Sequence, residues 1–286
     1  KMTTLVSQII NGLNQSAVLL IATLGRLIIF GLMNVINMAH GEMIMIGGFC
    51  SYIVTSVWKL PFIVAILFAF IVTALFGALT ELTNIKKLYS KPTETILATY
   101  ALSIVLMEIA RIIWPLSQNV AIPIPGSIKI HGVDIPYYNI FVVSAAIVLL
   151  VFTIMFFKFT RCGKEKTAIS EHRQMTECLG IKTSRIDTLT FAYGAGLAGI
   201  AGCILAPTIG VSYNMGSVYL TDCFLTVVVG GVQSMLGMAA SATIIGEGRT
   251  ILAGFTNETW AKIITFLAII VLLRFKPEGL FQKERR

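Results

Sequence analysis

The chain reads as an all-α, polytopic integral membrane protein with about eight transmembrane helices plus broken or re-entrant half-helices, set in two pseudo-repeated halves. Three observations predict this. Of its 286 residues 56% are hydrophobic and only 13% charged, and mean hydropathy is +0.84, which exceeds what a soluble core needs. Apolar runs of crossing length alternate with short segments that collect the basic residues. Two of the apolar runs, Phe30 to Phe49 and Phe224 to about Gly254, are interrupted by glycines and polar side chains. Residues 1–286 form one membrane domain, with a charged loop at 158–186. A formal charge of +8 would suggest nucleic acid for a soluble protein; here its distribution reports membrane orientation, and no nucleic-acid partner is expected.

Leu5 to about Asn34 is long enough to cross about 30 Å of hydrocarbon, and it carries one buried charge, Arg26, which must pair or reach water. Met43 to Trp58 is short for a crossing and fits the second half of a broken hairpin. Leu60 to Thr80 is a full span that ends in the basic segment with Lys86, Lys87 and Lys91. Pro92 then permits a new helix, Thr93 to Trp114, with Glu94 in its favourable first turn and Glu108 and Arg111 on one face near its end. Pro115 to Tyr137 holds four prolines and one basic residue, Lys129, and reads as an extended or short-stranded outer loop before the span Tyr138 to Phe157.

The longest polar segment, Lys158 to Arg185, is placed in the cytoplasm by its basic residues, together with the tail Arg274 to Arg286. Ala168, Ile169, Met175 and Leu179 fall near helical spacing and Gly180 supplies a stop, so either a short amphipathic helix or a solvated loop is expected. Asp187 to Ala206 crosses next, with Gly194, Gly196, Gly199 and Gly202 marking tight helix packing. The second interrupted span and a short last crossing, Trp260 to Leu273, complete the chain. Gly41 and Gly47 match Gly231 and Gly237 at a constant offset, which points to an internal repeat or to chance among 24 glycines.

Polar groups inside the two breaks are the site candidates, because such groups are costly in lipid unless they face protein or water. They are Asn34, Asn37, His40 and Glu42 in the first, and Thr226, Gln233 and Ser234 in the second, with Gly41, Gly47, Gly230, Gly231 and Gly237 as hinge glycines. The plain alternative is that these groups satisfy one another and hold a helix hairpin together. Cys50, Cys162, Cys178, Cys203 and Cys223 form no CxxC pair, so neither metal nor disulfide is expected. His40, His131 and His172 fall in different compartments and no HExxH or GxSxG motif occurs, which argues against an enzyme.

Gly31 to Phe49, ETILATYALS at Glu94 to Ser103, CLGIKTSRI at Cys178 to Ile186, Val227 to Gly237 and PEGLF at Pro277 to Phe281 together resemble the permease subunits of ABC importers for branched-chain amino acids and urea. Asn37 to Glu42 and ETILAT at Glu94 to Thr99 resemble the urea branch more closely. The resemblance implies a multi-pass bacterial inner (plasma) membrane protein with a cytoplasmic C-terminus. Its partners would be a second homologous permease, two cytoplasmic ATP-binding subunits that hold ATP and Mg, and a periplasmic or extracellular substrate-binding protein. The chain itself would bind no cofactor and hydrolyse nothing. It would form the path for urea or, alternatively, for branched-chain amino acids or short amides. Lys166 to Ile181 would be the helix seated on the ATPase, with Glu171, Arg173 and Gly180 contributing. A passive urea or ammonia channel would have no use for such a docking segment. Arg26, Asn34 and Gln233 depart from the family's usual small or aliphatic residues.

Overall fold

The computed structural model describes residues 2–89, 91–130, 133–232, 234–276 and 279–280. Helix α1 (Met2–Met33) runs the length of the molecule and stops at Asn34, whose φ of 54° is left-handed. The chain then stays extended until the Asn37 Oδ1 accepts the Ala39 N–H at 3.0 Å, a local turn that starts α2 (His40–Tyr52). A π-helical turn, Ile53–Val57, leads from α2 into α3 (Phe62–Thr83). Pro92 opens α4 (Pro92–Ile113), where its missing N–H costs nothing. The proline-rich loop contains the antiparallel hairpin β1 (Ser127–Ile130) and β2 (Val133–Pro136), with Ile128 opposite Ile135, and α5 (Tyr137–Phe159) follows directly.

The charged segment forms two helices, α6 (Arg161–Glu171) and α7 (Arg173–Cys178). The expected single amphipathic helix is thus corrected: His172 leaves the helical region at φ −145°, ψ 84°, and the apolar residues divide. Ile169 is buried inward, whereas Met175 and Leu179 face outward. Long α8 (Thr183–Ile209) ends at Gly210, and α9 (Met215–Gly230), α10 (Met235–Phe255) and α11 (Glu258–Phe275) complete the bundle. Among the described residues, seven long helices and the short α2 and α9 stand where about eight crossings plus half-helices are expected. Five of the long helices, α1, α3, α4, α5 and α8, are apolar enough to cross a membrane.

Helices α1 and α8 form the centre. Their apolar stretches are 78% and 83% buried, against 11–22% for α3, α4 and α5, whose outward leucines and isoleucines suit a lipid boundary. The α8 glycines explain how one helix touches three neighbours. Gly194 backs on Gly25 and Ile29 of α1, Gly196 on Phe70 and Gly199 on Thr73 of α3, and Gly202 on the Ile44 carbonyl of α2.

Two halves are visible in the packing. α1 packs on α10 as α8 packs on α3, and α2 on α3 as α9 on α10. At the centre Gly25 and Gly194 face each other reciprocally, as do Gly41 and Gly216, each the second residue of its short helix. The expected match of Gly41 with Gly231 is therefore corrected to Gly41 with Gly216. The second break is corrected too: Phe224 lies inside α9, and the Gly230–Ser234 turn sits beside Gly31 at the end of α1 instead of midway through the molecule.

Candidate functional site

Around the first break most side chains are buried and bonded within the fold. His40 is fully buried with Nε2 3.1 Å from the Ala22 carbonyl, and the Asn37 Nδ2 points at the Met43 sulfur, 3.8 Å away. The Met38 N–H donates to the Thr99 hydroxyl at 3.1 Å, tying the break to α4. Glu42 is buried, and its Oε2 has no partner among the described residues. Gly41 and Gly47 lie inside α2, so they act through close backbone contact, with Gly216 and Gly199, instead of as hinges. Arg26 lies with its guanidinium 5.1 Å from the centre of the Phe224 ring.

The second set divides. Thr226 is fully buried and donates to the Asp222 carbonyl at 2.7 Å; Ser234 caps α10 by accepting the Gly237 N–H at 2.9 Å. Gly231 is the true turn residue, with φ 89°. Gln233 and His131 lie outside the described residues.

Asn34 is the path candidate that lines a cavity. This cavity, about 390 Å³, opens where the end of α1 meets Val232 and the charged segment, and its walls include Lys166, Ser170 and Arg173. Of the path candidates among the described residues, Asn34 alone lines it.

Beneath the charged segment is a cluster that sequence reasoning missed. Lys166 of α6, 1% exposed, is hydrogen-bonded and ion-paired to Asp187 of α8. Arg173 of α7 brings Nη2 to 3.0 Å from Asp187 Oδ2, an ion pair off the hydrogen-bond line, and reaches Glu177 Oε1 at 3.3 Å. The same guanidinium lies 5.4 Å from the centre of the Tyr89 ring. Tyr89 donates to Glu81 at 3.1 Å, and Glu81 also accepts from Thr188 of α8 at 2.5 Å, so α3 joins the network. Burial, with the nearby Asp187 and Glu81 carboxylates, pushes the Tyr89 phenol up, so it stays a donor. Burial also outweighs the pull of Asp187 and lowers the Lys166 ammonium below the ordinary lysine range.

Losing Asp187 would leave Lys166 and Arg173 facing each other without their shared carboxylate, and losing either cation would loosen its helix from α8, so the cluster pins α6 and α7 to the membrane core. Glu171 and the apolar Met175 and Leu179 project from its outer side, and Gly180, at φ 81° with open space around it, ends α7. The arrangement is a foot pinned from within, with Glu171, Met175 and Leu179 exposed on its outer face. A sequence signal did exist at Asp187, a charge that follows Ile186 and opens an apolar run, but Lys166, between Glu165 and Thr167, reads as part of a solvated charged run unless its partner is known.

At the opposite end, Asp222 of α9 is 3.1 Å from Arg249 and 3.4 Å from Lys262, and Arg249 also reaches Glu258 at 3.2 Å. These groups join the middle of α9 to α10 and α11.

Residues 8–273 match the family described as branched-chain amino acid transport system / permease component. The high-affinity branched-chain amino acid transport system permease protein BraD of Pseudomonas aeruginosa is 27% identical, over 96% of this chain and 94% of that protein. The permease protein LivH of the corresponding Escherichia coli K12 system is 25% identical over the same shares. The fructose import permease protein FruG of Bifidobacterium longum is 27% identical over 46% of this chain and 41% of its own length. No solved structure matches the chain. With five helices apolar enough to cross a membrane, paired halves and a match across nearly its whole length, the chain belongs to the branched-chain amino acid transport system / permease component family.

Proposed function

We propose that the chain is the translocation subunit of an ATP-driven ABC importer for branched-chain amino acids. It would lie in a bacterial inner membrane with α6, α7 and the C-terminus in the cytoplasm. The observation that carries this reading is the full-length similarity to BraD and LivH, both named as branched-chain amino acid permeases. The pinned foot with an exposed Glu171, Met175 and Leu179 supports contact with cytoplasmic ATP-binding subunits. ATP and Mg would belong to those subunits. A second homologous permease and an external substrate-binding protein would complete the assembly.

The urea reading rests on Asn37–Glu42 and Glu94–Thr99. Those two strings meet through the Met38 N–H and the Thr99 hydroxyl, which gives them a structural role as a joint, and the relatives named above favour branched-chain amino acids over urea. The test is reconstitution of the importer in proteoliposomes with ATP inside. Leucine, isoleucine or valine uptake that needs hydrolysable ATP is expected. Uptake of urea with no amino-acid uptake would reverse the assignment, and uptake without the ATP-binding subunits would favour a channel.

A further inference from the structure

The cavity at the end of α1 has three kinds of wall. On one side Lys166 and Arg173 converge on the buried carboxylate of Asp187, and Arg173 also pairs with Glu177. On another, α1 ends: the Asn34 N–H takes the Phe30 carbonyl, and no donor among the described residues reaches the carbonyls of Gly31, Leu32 and Met33. A helix C-terminus with orphan carbonyls attracts a cation. Between them lie the apolar faces of Phe30, Ile169 and Val232. At about 390 Å³ the space lies at the small end of the range for small-molecule sites.

We propose that this cavity is a binding site for a free α-amino acid with a branched apolar side chain, entered from the side that carries α6 and α7. The carboxylate meets Lys166 and Arg173, the ammonium meets the α1 carbonyls and the Asn34 side-chain oxygen, and the side chain rests on Ile169 and Val232. A neutral amide such as urea would bring no anion to the two cations and no cation to the α1 carbonyls. Because Lys166 and Arg173 also pin the foot, an occupant would stiffen α6 and α7 against the end of α1, and transported solute accumulating on that side would slow further import. The choice of a branched-chain amino acid rests on the function proposed above.

The test uses the permease with its ATP-binding subunits in nanodiscs, without the substrate-binding protein, titrated calorimetrically with L-leucine. Saturable binding is expected. Leucinol, which lacks the carboxylate, and 4-methylpentanoate, which lacks the ammonium, should each bind at least about tenfold more weakly, the scale of one lost charged contact. Val232→Trp and Ser170→Trp fill the cavity from two different walls and should weaken leucine binding to a similar degree. Ser170 is exposed, so its variant folds even if the first does not. Absent leucine binding, equal binding of leucinol, or unchanged affinity in the Ser170 variant would each overturn the site. ATP-driven leucine uptake by the same complex, once the binding protein is added, separates the two readings. Uptake without this binding sinks only the site, and binding without uptake sinks only the transport assignment.

Discussion

At the scale of single residues, Asp187 holds the most, because it is the one buried carboxylate between Lys166 and Arg173. Asp187→Asn should lower the stability of the purified subunit by about 3–5 kcal/mol, the usual cost of breaking a buried pair by removing one partner. A melting temperature equal to that of the parent would show the pair to be slack. Lys166 adds a pH signature. Its folded-state pKa lies below the ordinary lysine value of about 10.4, so the unfolded chain binds this proton more tightly. Stability from this group therefore rises as pH climbs from the depressed value toward the ordinary one. Lys166→Met abolishes that dependence, and the parent's melting temperature should gain on the variant's across the window; a constant gap would contradict it. Glu171, exposed and in no ion pair among the described residues, makes the opposite case. Glu171→Ala should change stability by less than about 0.5 kcal/mol while lowering ATP-coupled uptake, whereas Arg173→Ala should lower both. Unchanged uptake and unchanged ATPase stimulation in the Glu171 variant would remove that residue from coupling.

At the scale of elements, the long helices were legible because an apolar run of crossing length has few other meanings: α1, α3, α4, α5 and α8 fall within a few residues of the spans read from hydropathy. The start of α9 was not legible. Met215–Tyr219 follows the polar Ser212 and Asn214, and its reason for being helical there is a backbone contact with Gly41 that lies far away in sequence. Asn37 and Ser234 were recognisable as polar groups at breaks, yet their type does not tell a turn-former from a solute ligand; only their hydrogen bonds do. The ion cluster under α6 stayed hidden because its members come from four separate segments. Helix contact also makes the glycines separable. Gly202→Ala drives a methyl into the Ile44 carbonyl, a backbone atom that cannot turn aside, and should cost at least about 1–3 kcal/mol. Gly248→Ala in α10 meets open space and should be neutral or stabilising by up to about 1 kcal/mol through helix propensity. Equal effects in a denaturation series would mean that α8 and α2 do not pack as closely as this.

At the scale of the molecule, one end gathers Lys86, Lys87, Lys158, Lys164, Arg185 and Arg274 together with α6 and α7, and the Leu280 N–H donates to the Val229 carbonyl at 2.8 Å, which holds 279–280 beside the turn into α10. The other end carries the proline-rich loop with its β hairpin, and Gln118 of that loop is joined to Val211, the residue after Gly210, by paired bonds of 2.8 Å each. The positive-inside rule makes the first end the expected cytoplasmic one, and the two halves meet between the ends at Gly25 with Gly194 and Gly41 with Gly216. Cys178 reports on this without any engineered label, since it is exposed on α7 whereas Cys50, Cys203 and Cys223 are buried. A membrane-impermeant maleimide should therefore modify Cys178 in inside-out vesicles that contain the permease alone and spare it in right-side-out vesicles. Adding the ATP-binding subunits should protect it, because Cys178 shares a concave surface with Glu171, His172 and Met175, the face assigned to the docked partner. Labelling from the outer side would invert the topology. Labelling as fast in the assembled importer as in the permease alone would move the docking surface away from α7 and leave the ion cluster beneath it with a purely structural role.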